Sequence, residues 1–395
     1  MKLRNYIGYE YRKMAKRKSF WIALLLTPVL LVFLASGTVM GKIYVENELA
    51  GTHMDEIAIR KEEAKELNGT VLTEEYFREI RERKYERPAE GYTASNYLEY
   101  EEKNAEQSMI NEVIYALAQG QDTGSVYSAW KEGMTARWEE KGLNAEEISW
   151  LQEQAESTGT PWTYAYNEGY GVFAGYMPIS ILCMAVLLTI CLSPMFAEEY
   201  SLGTDVLLLT SRNGRREVAA AKLIAGLSFS AVSSALFYGL FLAGQILIYG
   251  AGDVSAAVQT LSAFSNVPYD LSVGQAALLL LTAGVLSSMV TGAIVMACSA
   301  AMRSSFGPAV LGLIFAFLPL FAAMMPEESG NRLLASAVNA VPGVYGTVRS
   351  LFSCCLLSVG NLHFTAYQYL AVLYLIALAL LAIFAAKQYL GRQPA

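Results

Sequence analysis

The chain has 395 residues, of which 54% are hydrophobic and 16% charged, far below the roughly 25% charge of soluble domains. That balance excludes an ordinary water-soluble protein and points to an integral membrane protein. The net charge of −7 conceals a segregation: residues 42–170 hold 27 acidic against 13 basic side chains, so the rest of the chain is net positive. Because the basic residues flank apolar runs and form no stripe on a polar surface, nucleic acid is excluded as a partner.

Crossing about 30 Å of hydrocarbon takes about 20 mostly apolar residues in a helix. Six segments meet that length, at 19–40, 171–196, 223–250, 273–300, 307–325 and 364–386. The apolar part of the first exceeds the roughly 7–15 residues of a secretory signal, so it reads as an uncleaved anchor. Lys2, Arg4, Arg12, Lys13, Lys16, Arg17 and Lys18 precede it. Cytoplasmic loops carry the lysine and arginine excess, so the N-terminal segment 1–18 is expected inside. Six crossings then put Arg212, Arg215, Arg216, Lys222 and Arg303 on the same side, together with the tail 387–395 that carries Lys387 and Arg392. The two criteria agree, and they leave the acidic region 41–170 outside, which in a bacterium means the periplasm or cell exterior.

That outer region reads as mostly helical. TEEYFREIRERKYE (73–86) and NYLEYEEKNAEQSMINEVIYALAQ (96–119) are rich in helix formers, with apolar residues at helical spacing. Asn144 followed by Glu147 is a helix-start signature, and the aromatic tail 162–176 suits a water–lipid boundary. No alternating strand pattern is evident. The region is either a solvated spacer or a gating or partner-binding domain. Further on, residues 326–362 are apolar but broken by Pro342, Gly343 and Gly346, with Arg349 midway. A seventh span would bury that charge, so 331–360 is expected to be a re-entrant or interfacial helix pair on the outer side.

The chemistry is as informative by its gaps. Cys183, Cys191, Cys298, Cys354 and Cys355 all lie outside the polar region, and His53 and His363 are the only histidines, so neither a disulfide framework nor a His/Cys metal site is expected. No Asp, Glu, Lys, Arg or His occurs in 223–252, 271–302, 304–326 or 364–386, His363 standing just before the last run; this argues against an ion-coupled transporter. There is no phosphate-binding G-x-x-x-x-G-K-[ST] loop and no G-x-S-x-G nucleophile elbow. The chain is therefore not expected to be an enzyme or to bind a cofactor, and any energy for transport must come from another polypeptide acting on an inner loop.

The best loop for this is EEYSLGTDVLLLTSRNGRREVAAAKL, residues 198–223. Glu198 and Glu199 follow the second span, Gly203 allows a tight bend, and Thr204 can cap a new helix with Asp205 in its first turn. Val206 to Leu209, with Leu207 and Leu208 at the centre, form an apolar knob. Ser211 to Gly214 reads as a turn, after which a helix restarts. A short helix of this kind fits a groove on a soluble partner, its leucines anchoring and Arg212, Arg215 and Arg216 setting orientation.

This run resembles the cytoplasmic loop of permease subunits in the ATP-binding cassette (ABC) type-2 exporter family, on Glu199, Gly203, Thr204, Leu207, Leu208, Ser211, Arg212 and Lys222; Thr210 stands where proline is common. The resemblance implies an all-α integral membrane protein with six transmembrane helices, an N-terminal amphipathic helix and a helical extracytoplasmic domain. It implies that 198–217 is a coupling loop docked on an ABC ATPase subunit, with ATP and Mg held by that partner, and that a second permease, a copy or a paralogue, completes a dimer. The uncharged spans favour a lipophilic or amphipathic cargo. The alternative is a non-transporting membrane sensor or assembly protein whose outer domain binds a ligand or partner.

Overall fold

In the computed structural model, the residues described are 3–86, 92–118, 124–201, 203, 214–324, 332–360 and 362–391. Helix α1 (Leu3–Ala15) stops two residues short of α2 (Lys18–Met40), because Arg17 between them is extended. The Trp21 indole N–H closes the corner by donating to the Ala15 carbonyl at 2.8 Å. Within the acidic region, α3 (His53–Leu67), α4 (Glu74–Glu82), α5 (Tyr97–Lys103), α6 (Ala105–Ala118), α7 (Val126–Glu140) and α8 (Ala145–Ser157) pack on one another. Their starts are set locally. Asn144 and Glu147 form a reciprocal capping box for α8, as their spacing predicts, and Thr52 and Asp55 do the same for α3.

Three details of this region differ from the sequence reading. The helix expected over 96–119 is broken at Asn104, whose side chain accepts from the Glu86 N–H at 2.8 Å and donates to the Tyr100 carbonyl at 2.7 Å, competing with the backbone ladder. A hairpin, β1 (Lys42–Val45) with β2 (Glu48–Thr52), turns at Glu46 and Asn47, both at positive φ. Such a turn suits a two-residue connection, but Glu-Asn is a weaker signal than Asn-Gly. The aromatic tail is not a lipid-boundary belt. Trp162, Tyr164, Tyr166 and Phe173 are buried, and the Trp162 and Tyr164 backbones pair with Leu72 and Thr70. Trp162 stacks edge-on against Trp130 at 4.9 Å, so these rings form the domain core.

Among the described residues, five helices are long and apolar enough to cross a membrane. They are α2, the run Glu168–Ser201 made by α9 (Glu168–Leu192) and α10 (Pro194–Ser201), α11 (Gly214–Tyr249), α12 (Val273–Ala301) and α16 (Ala366–Leu390). A further apolar helix, α13 (Phe306–Ala323), is shorter. Ile22, Leu25, Val29 and Phe33 of α2 and Leu375, Ile376 and Leu380 of α16 point outward, an arrangement suited to lipid and not to water. Helix α12 is the central post, packed against α9, α11, α13 and α16. Its small residues Gly284, Ser287, Ser288 and Gly292 let neighbours approach closely.

The segment expected as a re-entrant helix pair is only partly helical. α14 (Arg332–Asn339) and the single turn α15 (Val348–Leu351) flank an extended stretch, β3 (Pro342–Thr347), that is inserted against α12. Gly343 donates its N–H to Ser287 Oγ at 2.8 Å. Gly346 sits at φ +100°, where an added Cβ would lie 2.9 Å from the Gly284 nitrogen. Gly284 is eleven residues into α12, about 16 Å along its axis, so non-helical backbone reaches well into the apolar region and is shielded there by protein. A second hairpin, β4 (Leu357–Val359) with β5 (Leu362–Phe364), leads into α16.

The helices of the acidic region are tied to the connections between the long helices. Arg332 pairs with buried Glu147 at 2.7 Å, and Ser358 donates to the same carboxylate at 2.9 Å. Trp138 donates to Cys354 Sγ at 3.0 Å, and Lys61 donates to the Ile248 carbonyl at 3.1 Å.

Candidate functional site

Around the residues after α9 gather Glu10, Glu199 and Lys222, three of the four buried charged side chains among the described residues; the fourth is Glu147. Pro194 ends the α9 ladder, and α10 restarts with its free N–H groups answered by α12: Ser299 Oγ accepts from Phe196 at 3.0 Å and Ala197 at 3.1 Å while donating to the Ser193 carbonyl at 2.7 Å. A side chain from a neighbouring helix thus caps α10 and fixes its direction.

Along α10, Glu199 is buried among groups from three other helices. The Lys222 ammonium of α11, fully buried, lies 2.8 Å from Glu199 Oε1 and 3.1 Å from Glu10 Oε2 of α1, and donates to the Met195 carbonyl at 2.8 Å. Lys13 reaches the same Glu199 oxygen at 3.3 Å, and the Tyr389 hydroxyl of α16 donates to the other at 3.1 Å. Beside this core, Glu198 takes Arg17 as its close partner, and Lys13 stands 3.5 Å away. Three carboxylates face three cations, so the cluster is charge-balanced, as groups removed from water must be. Phe196 supplies its wall, 5.7 Å from the Lys222 nitrogen and 5.3 Å from the Tyr389 ring.

Of the residues singled out in the sequence, Glu198 and Glu199 are brought together with Lys222. Gly203 has φ +65°, a conformation that favours glycine, and donates its N–H to the Tyr200 carbonyl at 3.3 Å. Arg216 is exposed on the first turn of α11, where the Arg215 backbone is also helical. Thr204, Leu207, Leu208 and Arg212 lie outside the described residues, as does the helix expected from Gly203 to Leu209. Glu10 and Tyr389 did not stand out in the sequence, and Lys13 and Arg17 did so only as markers of orientation. Only Glu10 had a local signal, as the sole acid among the bases of residues 1–18.

Two further features bear on function. No group of three or more His, Cys, Asp or Glu side chains able to hold a metal occurs among the described residues. Between α9, α13 and β3 lies an apolar cavity of about 290 Å³, walled by Pro178, Leu182, Phe315 and Val344 with Thr347 and Arg349 on its lining. The charge cluster offers no activated nucleophile and no reacting geometry, since its acids and bases are all engaged in binding one another. The cluster ties α10 to α1 and α11 through ion pairs and to α16 through the Tyr389 hydrogen bond.

No curated protein matches the chain. The family model described as ABC-2 family transporter protein matches residues 5–386. That match covers nearly the whole chain, from the helix carrying Glu10 to the end of the α16 apolar run, and the protein belongs to the ABC-2 transporter family as a multi-pass, non-catalytic membrane permease.

Proposed function

We propose that this permease works in an ATP-driven exporter, where a separate ABC ATPase subunit holds ATP and Mg and presses on residues 198–217. Closure of the ATPase displaces the segment after α10, and α10 in turn drags α1, α11 and α16. The observation that carries this reading is the cluster of Glu199, Lys222, Glu10 and Tyr389, which joins four helices where the expected docking loop leaves α10. In this reading Glu198 and Glu199 act inside the permease, holding α10, while Leu207, Leu208, Arg212, Arg215 and Arg216 meet the partner.

The same reading places the chain in a bacterial cell membrane, with six crossings that include α13, both ends on the ATPase side and the acidic domain outside. The segment 331–360 is re-entrant from that outer side, and a second permease, a copy or a paralogue, completes the transport path. The cargo is lipophilic or amphipathic, as the uncharged spans and the apolar cavity beside α13 suggest. Replacing Leu207, Leu208 and Arg212 together by alanine is expected to abolish stimulation of the ATPase by the permease while membrane insertion stays at the wild-type level. Full stimulation by the triple variant would remove the proposal.

A further inference from the structure

The β4–β5 hairpin has two unlike faces. Its cross-strand pairs are Leu357 with Phe364, Ser358 with His363 and Val359 with Leu362. Side chains alternate along a strand, so Leu357, Val359, Leu362 and Phe364 share one face while Ser358 and His363 take the other. The polar face is turned to the acidic region: Ser358 donates to Glu147 Oε1 at 2.9 Å, and the His363 ring lies 5.6 Å from the Trp150 ring. The four apolar side chains therefore point away from that region. All four are exposed, Val359 at 62% and Leu362 at 63%. A two-stranded hairpin is marginal in water, and one that also presents a wholly apolar face needs a cover.

The place of the hairpin along the chain identifies that cover. At the far end of α16, Lys387 and Gln388 are exposed, and about 20 residues of helix, or about 30 Å, counted back from Lys387 end at Tyr367. Phe364 lies three residues further, level with the headgroup layer, which adds about 5–8 Å on each side of the hydrocarbon. Below it, α16 turns Val372, Leu373, Leu375 and Ile376 outward. Between them and the hairpin, Gln368 is occupied in capping the helix, its Oε1 accepting from the Thr365 N–H at 3.0 Å. The exposed apolar surface of α16 thus continues into the hairpin through Phe364. Amphipathic elements at this level lie with their apolar side about 5–10 Å into the boundary between headgroups and acyl chains.

We infer that the β4–β5 hairpin is an interfacial wedge, its apolar face seated among the lipids of the leaflet on the side of the acidic region. Through Ser358 and Glu147 it ties that region to the bilayer surface. The inference holds for either orientation of the chain and does not depend on an ATPase.

The test is fluorescence quenching of bimane attached to Val359→Cys in the full chain. Cys298→Ala and Cys355→Ala remove the two partly exposed thiols and leave the three buried ones. The protein is reconstituted in palmitoyl-oleoyl phosphatidylcholine vesicles, with or without phosphatidylcholine carrying a doxyl group near the top of one acyl chain. Val372→Cys, on the exposed side of α16, is the reference for lipid, and Tyr115→Cys, exposed on α6, the reference for water. The doxyl lipid is expected to quench the Val359 position at least about half as strongly as Val372, and iodide no more than about a fifth as strongly as Tyr115. Leu362→Cys, on the same face, should repeat the result if labelling disturbs one strand. Iodide quenching at the Tyr115 level overturns the inference whatever the doxyl lipid does. Protection from both quenchers also overturns it, and disulfide linkage between copies of Val359→Cys would then assign the face to a second copy of the chain.

Discussion

Lys222 and Glu199 meet at 2.8 Å with the ammonium wholly out of solvent, joining α10 to α11 beside the equally short bond to the Met195 carbonyl. Removing one side of such a pair leaves the other charge buried and uncompensated. Lys222→Met is therefore expected to cost about 3–5 kcal/mol. It strands Glu10, leaves Glu199 to Lys13 and Tyr389, and removes the donor to the Met195 carbonyl. Thermal denaturation of the detergent-purified protein measures the loss. Adding Glu10→Gln and Glu199→Gln to Lys222→Met should recover most of it, because neutral groups no longer need the cation.

The neighbouring pair separates stability from coupling. Glu198 and Arg17 are partly exposed, at 29% and 14%, so solvent screens them and Glu198→Gln should change stability by less than about 1 kcal/mol. If α1 and α10 move together during transport, the same variant lowers permease-stimulated ATPase activity several-fold. The charge exchange Arg17→Glu with Glu198→Arg should restore part of the stimulation, measured with both subunits in proteoliposomes.

Gly346 packs against the backbone of α12, not against a side chain that can yield. At φ +100° any Cβ is strained, and here it would press on Gly284 N and Cα at 2.9 and 3.0 Å. Gly346→Ala should destabilise the protein by about 2 kcal/mol or more, combining left-handed strain with a backbone clash. Gly360 also has positive φ, at +59°, but an added Cβ there would meet no atom within 4 Å, so Gly360→Ala should cost only the strain, about 1 kcal/mol. Comparing the two melting temperatures checks the difference.

Acid should loosen the junction between the acidic helical region and the segment leading to α16. Burial pushes the Glu147 carboxyl up, but the Arg332 guanidinium, the Asn144 N–H and the Ser358 hydroxyl together outweigh it and hold the group below its ordinary value. A depressed folded pKa means that this contribution is complete above the unfolded carboxylate value, about 4.3, and fades as pH falls through the lower folded value. Protection of α8 and of the β4–β5 hairpin against hydrogen exchange, taken relative to the intrinsic amide rate at each pH, should fall in the wild type as pH drops below about 4. In Glu147→Gln the exchange should already be fast at neutral pH and should lose this acid dependence.

Gly203 offers a test of the exit from α10. Its φ of +65° is open to glycine at little cost, and no atom lies within 4 Å of an added Cβ, so Gly203→Ala acts through backbone strain alone. A loss of about 1 kcal/mol in local stability is expected. The readout is faster proteolysis after α10 with an unchanged global melting temperature.

What could be read from the chain directly was whatever is periodic or local. Long uncharged runs reveal helices that suit lipid, because transfer of apolar side chains depends on composition along a segment and little on what lies beside it. The Asn144–Glu147 capping box is likewise visible, since both partners sit within one helical turn. The loop after α10 is recognisable from Glu199, Gly203, Ser211 and Lys222 for the same reason. Asn104, in contrast, looks like an ordinary helix-compatible polar residue until Glu86 is brought beside it.

The sequence by itself determined that this is a membrane protein with a polar, mostly helical insertion after its first apolar helix, and it carried the marks of an ABC-2 permease. Only the tertiary structure decided that Lys222 is an internal tether. A lysine at the start of an apolar run ordinarily extends its ammonium toward water or headgroups. Here its partners come from 212 residues earlier, at Glu10, and Glu199 is shared with Tyr389, 190 residues later. No one-dimensional pattern encodes that meeting. Whether a charge is solvated or buried is set by which helices surround it, and a buried charge persists only where the fold supplies its counterpart.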